Sequence, residues 1–89
     1  MELAYKFVKS KDLVNRIYNM VVYFEIIKDL NHEDIIKIFF HNSLCDIEYI
    51  ESLAKYFETK RLKYKSNIEV LCNLNELIDD LNSLKQYLK

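Results

Sequence analysis

Lys60, Arg61, Lys63 and Lys65, with Tyr64 among them, are the densest group of side chains in this chain that could do chemistry. Cations grip phosphate oxygens and an interleaved aromatic ring stacks a base, so the run has the make-up of a nucleic-acid contact. The same cations also close a helical segment that opens with Asp46 and Glu48, and charges so placed complement a helix dipole at both ends with no ligand at all. Thirteen basic against fourteen acidic residues leave a net charge of −1, so no overall field draws phosphate in. The dipole reading is preferred, and nucleic-acid binding through Lys60, Arg61, Lys63, Tyr64 and Lys65 is the alternative.

Other reactive groupings point to less. His41 and Cys45 stand four apart, which is metal-ligand spacing on a continuous helix, but Asn42 and Ser43 between them read as a helix break. No other His, Cys or acid completes a set, so no metal is expected. Glycine is absent, which excludes the phosphate-cradling loops of nucleotide sites, and no cofactor is expected. Glu25 with Asp29, and Glu76 with Asp79 and Asp80, read as solvated helix faces rather than acid–base pairs. Cys45 and Cys72 read as small buried hydrophobes in a reducing, cytoplasmic setting. The stretch from Asp34 to Tyr56 has the outline of a helix-turn-helix, yet its second helix opens with Asp46, Glu48 and Glu51, which would face phosphate with the wrong sign. The chain does not read as an enzyme.

The elements that must carry these groups are helical. From Ser66 onward Val70, Leu74, Leu77, Leu81, Leu84 and Leu88 recur at alternating steps of four and three, with Leu71 and Ile78 beside them. Helical geometry gathers such residues into one stripe, wide enough for a helix packed among others. Leu13, Ile17, Met20, Phe24 and Ile27 repeat in the same way, and Ile47, Ile50, Ala54 and Phe57 mark a further helix. With neither glycine nor proline to make tight turns, Asn, Ser and Asp must separate these segments.

The expectation is a single all-α domain, a small four-helix bundle with antiparallel neighbours, over about residues 11–30, 32–41, 44–63 and 67–88. Residues 1–9 read as weakly helical. The expected breaks are Ser10 or Asp12 capping the first helix, Asn31 both ending that helix in the left-handed region and capping the next, and capping boxes at Ser43/Asp46 and Ser66/Glu69. The segment Ile35–Phe40 reads as the centre of the bundle or a contact surface. No cleavable signal is read at Met1–Val8, and the densest apolar run, Met20–Ile27, is far short of a membrane span.

Residues 20–27 are apolar nearly all round, and tyrosines recur off the aliphatic stripes, so the chain carries more apolar surface than short helices hide internally. That excess points to a non-enzymatic protein-binding module, a small regulator or inhibitor of the antitoxin, immunity or phage/viral inhibitor kind. The expected self-contact of a homodimer is Tyr18, Val22, Tyr23 and Ile26. The expected partner surface is Phe39, Phe40, Tyr49 and Tyr56.

Overall fold

The leucine-rich stripe near the carboxyl end is sequestered from water along its length. In the computed structural model, Val70, Leu74, Leu77, Ile78, Leu81 and Leu84 are each at most 6% exposed. The structure describes the backbone of residues 2–40 and 46–88, and within these the side chains other than those of 2–10, 32, 35, 39 and 40. It is all-α: α1 Glu2–Ile26, α2 His32–Phe40, α3 Ile47–Thr59 and α4 Ile68–Leu88, with no strand among the described residues.

Packing follows the apolar periodicity. α4 lies against both α1 and α3, while α2 packs chiefly on α1. Ile17, Val21 and Phe24 of α1 and Ile50 and Phe57 of α3 are fully buried with Leu74, Leu77 and Leu81, and α2 contributes Ile38. At about 1.5–3 kcal/mol for each large apolar side chain removed from water, this one cluster is the main force opposing chain entropy. Among the described residues α4, packed on both α1 and α3, is the centre of the packing. In the segment Ile35–Phe40, Ile38 is buried and Ile36 exposed, the side chains of Ile35, Phe39 and Phe40 lying outside the described residues. No helix among the described residues is long and apolar enough to cross a membrane.

Helix boundaries differ from the sequence expectation for local reasons. Residues 2–10 continue into α1, because no helix breaker separates them from the Leu13–Phe24 face, and Ser10 and Asp12 lie inside the helix instead of capping it. α1 stops at Ile26, not at Leu30. Lys28 takes the left-handed conformation (φ 63°), its N–H donating to Glu25 O at 2.9 Å and that of Asp29 to Phe24 O at 2.9 Å. This pair of bonds is a Schellman closure with lysine where glycine is usual. Asn31 caps α2 as expected, its Oδ1 accepting from the Asp34 N–H at 2.9 Å, while the left-handed role falls to Lys28.

The later caps also shift. Ser43 lies outside the described residues, and α3 is capped by Asp46, whose carboxylate accepts from the N–H groups of Glu48 and Tyr49. α4 is capped by Asn67 rather than Ser66, with Oδ1 accepting from the Val70 N–H at 3.2 Å. α3 ends at Thr59, short of residue 63, and residues 60–66 form turns. Cys72 is exposed, not buried, and Cys45 lies outside the described residues.

The lysine in the left-handed region gives a direct test. A β-carbon there costs about 1–2 kcal/mol, partly offset in Lys28→Gly by the freer unfolded chain, so denaturant titration should find Lys28→Gly unchanged to about 1 kcal/mol more stable. Lys28→Val, branched at the β-carbon, should lose stability by about 1–2 kcal/mol.

Candidate functional site

Two features gather polar and aromatic side chains, and they adjoin. The first is a groove of about 200 Å³ between α2 and α3. Leu30, Ile38 and Leu53 form an apolar floor, Tyr49 and Tyr56 line the α3 side, and Asp34, Lys37 and Ser52 stand at the rim. Tyr49 and Tyr56 reach it because they stand seven residues apart, on one face of α3. Tyr49 is half-buried against the core and Tyr56 is exposed. The side chains of Phe39 and Phe40, expected on the same surface, lie outside the described residues.

The second feature is an ion cluster on Asp29, in the turn between α1 and α2. Its carboxylate is only 2% exposed. Lys63 Nζ donates to Oδ1 at 2.5 Å, and Lys60 Nζ lies 3.1 Å from Oδ2 and 3.5 Å from the Asp29 carbonyl oxygen. Lys60 also lies over the Tyr56 ring, 4.7 Å from its centroid. Aromatic rings extend from this end into the core: Phe24 meets Phe57 at 5.8 Å, Tyr64 at 6.5 Å and Tyr23 edge-on at 5.3 Å.

Burial pushes the Asp29 carboxyl up, but hydrogen bonds from Lys63, Lys60 and Tyr64 outweigh it and hold the group below the ordinary aspartate range. Burial pulls the Lys60 ammonium down, and the carboxylate and Tyr56 more than restore it, leaving it above the usual lysine value. The hydrogen bond to Asp29 raises Lys63, and burial followed by the bond to Asp29 raises Tyr64.

The basic run is thus largely committed within the molecule. Lys60 and Lys63 are held by Asp29, and Arg61 Nε donates to Asn75 Oδ1 at 2.9 Å. Lys65 is exposed. A phosphate would have to compete with a buried carboxylate for two of the four cations. Lys60 is the C-cap of α3, where a cation meets the negative end of the helix dipole, and it also reaches, with Lys63 from the following turn, across to Asp29.

Asp80, read in sequence as part of a solvated face, is also buried, at 5% exposure. Its surroundings are opposite in effect to those of Asp29. Arg16 approaches Oδ1 at 3.1 Å from a largely exposed position; Oδ2, like that of Asp29, makes no hydrogen bond, but it has no ammonium beside it as Asp29 Oδ2 has in Lys60. Burial raises its pKa; Arg16 opposes this, and Glu76 and Asp79 reinforce it. Beside this pair a polar cleft of about 530 Å³ runs between α1 and α4, lined in part by Asn15, Arg16, Asn19, Ser83 and Tyr87. It brings together no nucleophile with a positioned base. Among the described residues no three His, Cys, Asp or Glu are grouped to hold a metal ion. His41 and Cys45 lie outside the described residues.

The residues expected at a self-contact divide. Val22 and Ile26 are exposed one turn apart on α1, Ile26 at 72%. Tyr18 and Tyr23 pack half-buried against the core. Sequence reasoning missed Asp29 as a buried ion and the floor and rim of the groove. No signal local to the basic run or to Asp29 marks either.

Comparison with protein-family models, with characterised proteins and with solved structures finds no match to this chain.

The two buried carboxylates predict opposite pH dependences. Asp29 has a depressed folded pKa, so its contribution is present above the unfolded aspartate value and lost as pH falls through the folded one. Lys60 and Lys63 have raised pKa values, so theirs is present below the ordinary lysine range and lost as pH rises through the folded values. Asp29→Asn should therefore cost about 1.5–3 kcal/mol at pH 7, with the difference from the parent shrinking in acid. For Asp80 the raised folded pKa makes its charge a penalty above that value, relieved as pH falls. Asp80→Asn should be neutral or stabilising by about 1 kcal/mol at pH 7, and its advantage should vanish near pH 4. Urea titrations across pH measure both.

Proposed function

We propose that this chain is a non-enzymatic protein-binding module, a small regulator or inhibitor that receives a partner segment in the groove between α2 and α3. The groove itself carries the reading: an apolar floor of Leu30, Ile38 and Leu53, an aromatic wall of Tyr49 and Tyr56, and a polar rim match the anatomy of a surface that seats an apolar side chain. Tyrosine at such a position offers large area with few rotamers to freeze. The likeness to small antitoxins, immunity proteins and phage or viral inhibitors is one of architecture and scale, not of motif.

In this reading the four helices form one domain, a bundle with antiparallel neighbours. It works in the cytoplasm, where the exposed thiol of Cys72 stays reduced. Val22 and Ile26, flanked by Tyr18 and Tyr23, make the contact of a homodimer, since two large aliphatic side chains one turn apart gain from mutual burial. The partner surface is Tyr49 and Tyr56, continued along α2 by Phe39 and Phe40.

Ser52 is exposed at the rim, so Ser52→Trp fills the groove without disturbing the core. The tagged chain should retain a defined protein from its source cells and Ser52→Trp should release it; equal retention by both removes the groove as the site. For the dimer, light scattering should give twice 10.8 kDa at high concentration and one chain's mass for Ile26→Glu. A parent that stays at one chain's mass throughout ends the dimer proposal.

A further inference from the structure

The groove wall on the α2 side is the shortest helix among the described residues. α2 has nine residues, too few to hold a helix in isolation, and it packs chiefly on α1. Among its described side chains Ile38 is the one buried in the core. Its root is the turn that carries Asp29, with Leu30 next in the groove floor and Asn31 capping the helix.

Lys60 joins this root to the opposite wall. Its ammonium lies 3.1 Å from Asp29 Oδ2, 3.5 Å from the Asp29 carbonyl oxygen and 4.7 Å from the centroid of Tyr56, the aromatic that lines the groove on α3. Asp29, Lys60 and Tyr56 thus tie the two walls together at one end. Lys63 adds a second tie from a more exposed position, and Tyr64 faces the same carboxylate.

We propose that α2 is a lid on the α2–α3 groove, held closed by the Asp29–Lys60–Tyr56 latch. The inference rests on reading that groove as the binding site, and concerns how its width is set. A buried carboxylate is tolerated only while paired. Without the pairing its turn is no longer tied to residues 60 and 63 and swings outward, which carries Leu30 and the start of α2 away from Leu53 and Tyr56. Hinged segments of this kind have two discrete positions because the core beneath them does not deform continuously. Opening widens the groove toward the dimensions of a helix face, and closing hides Leu30 and Ile38 when no partner is present.

Hydrogen exchange on the full chain, with no partner added, tests the latch. In the parent the amides of residues 36–40 should exchange at least about tenfold faster than those of α4 around Leu77 and with little dependence on urea, and in Asp29→Asn they should exchange about tenfold or more faster still. Exchange of α2 in the parent as slow and as urea-dependent as that of α4, or no acceleration of α2 in Asp29→Asn, overturns the lid. Should Asp29→Asn fail to fold, Lys60→Met carries the test with the same two outcomes, since it keeps the stem over Tyr56 and leaves Lys63 on Asp29. Because no partner is involved, a negative result removes the lid and leaves the groove standing, whereas equal partner retention by Ser52→Trp removes the groove.

Discussion

The burial of α4's apolar face is the constraint on which the rest depends. A 21-residue helix with Val70, Leu74, Leu77, Ile78, Leu81 and Leu84 on one side must be covered, and α1 and α3 do the covering. Their own buried residues fall at helical spacing for the same reason: Leu13, Ile17, Val21 and Phe24 on one, Ile50, Leu53, Ala54 and Phe57 on the other. What is left for α2 is a position against α1, beside α3, with a groove along the flank. The candidate site is a consequence of one short helix being too small to close the surface that the three longer ones leave open.

Charge is used in two contrasting ways around this core. Asp29 is buried with two ammonium groups and a tyrosine, and the pairing more than offsets the loss of water. Asp80 is buried on the core side of α4 with one exposed guanidinium, and the loss of water wins. The first is a tie between distant turns, 31 and 34 residues apart along the chain. The second is a weakness in the α1–α4 contact. Replacing a buried pair by apolar groups is often neutral or favourable, whereas removing one partner leaves a charge stranded, so the two sites should respond differently to the same Asp→Asn change.

Periodicity made the core legible in the sequence, because the four-three recurrence of Leu74, Leu77 and Leu81 has one physical solution. Chain breaks were less legible. Without glycine, the left-handed residue was expected at Asn31, yet Lys28 takes that conformation because its own N–H and that of Asp29 find the carbonyls of Glu25 and Phe24 there. Ser66 and Asn67 are both good caps, and only the direction of the chain entering α4 decides for Asn67. Long-range pairing was not legible at all: nothing local to Lys60 announces Asp29, and the basic run therefore looked like a ligand site or a dipole complement. The groove was half visible. Tyr49 and Tyr56 share a face of α3, but Leu30, Asp34 and Ser52 meet them only through the angle between α2 and α3. Tyr18 and Tyr23, taken for outward aromatics, instead pad the core edge.

The claim that the α4 stripe is the core of the molecule is tested most directly by the unfolding free energy of Leu77→Ala, measured in denaturant. Truncating a fully buried leucine should cost about 2–5 kcal/mol, with unfolding still cooperative. A loss below about 0.5 kcal/mol, the size of a surface substitution, would mean that Leu77 faces water and that the arrangement of helices described above is wrong.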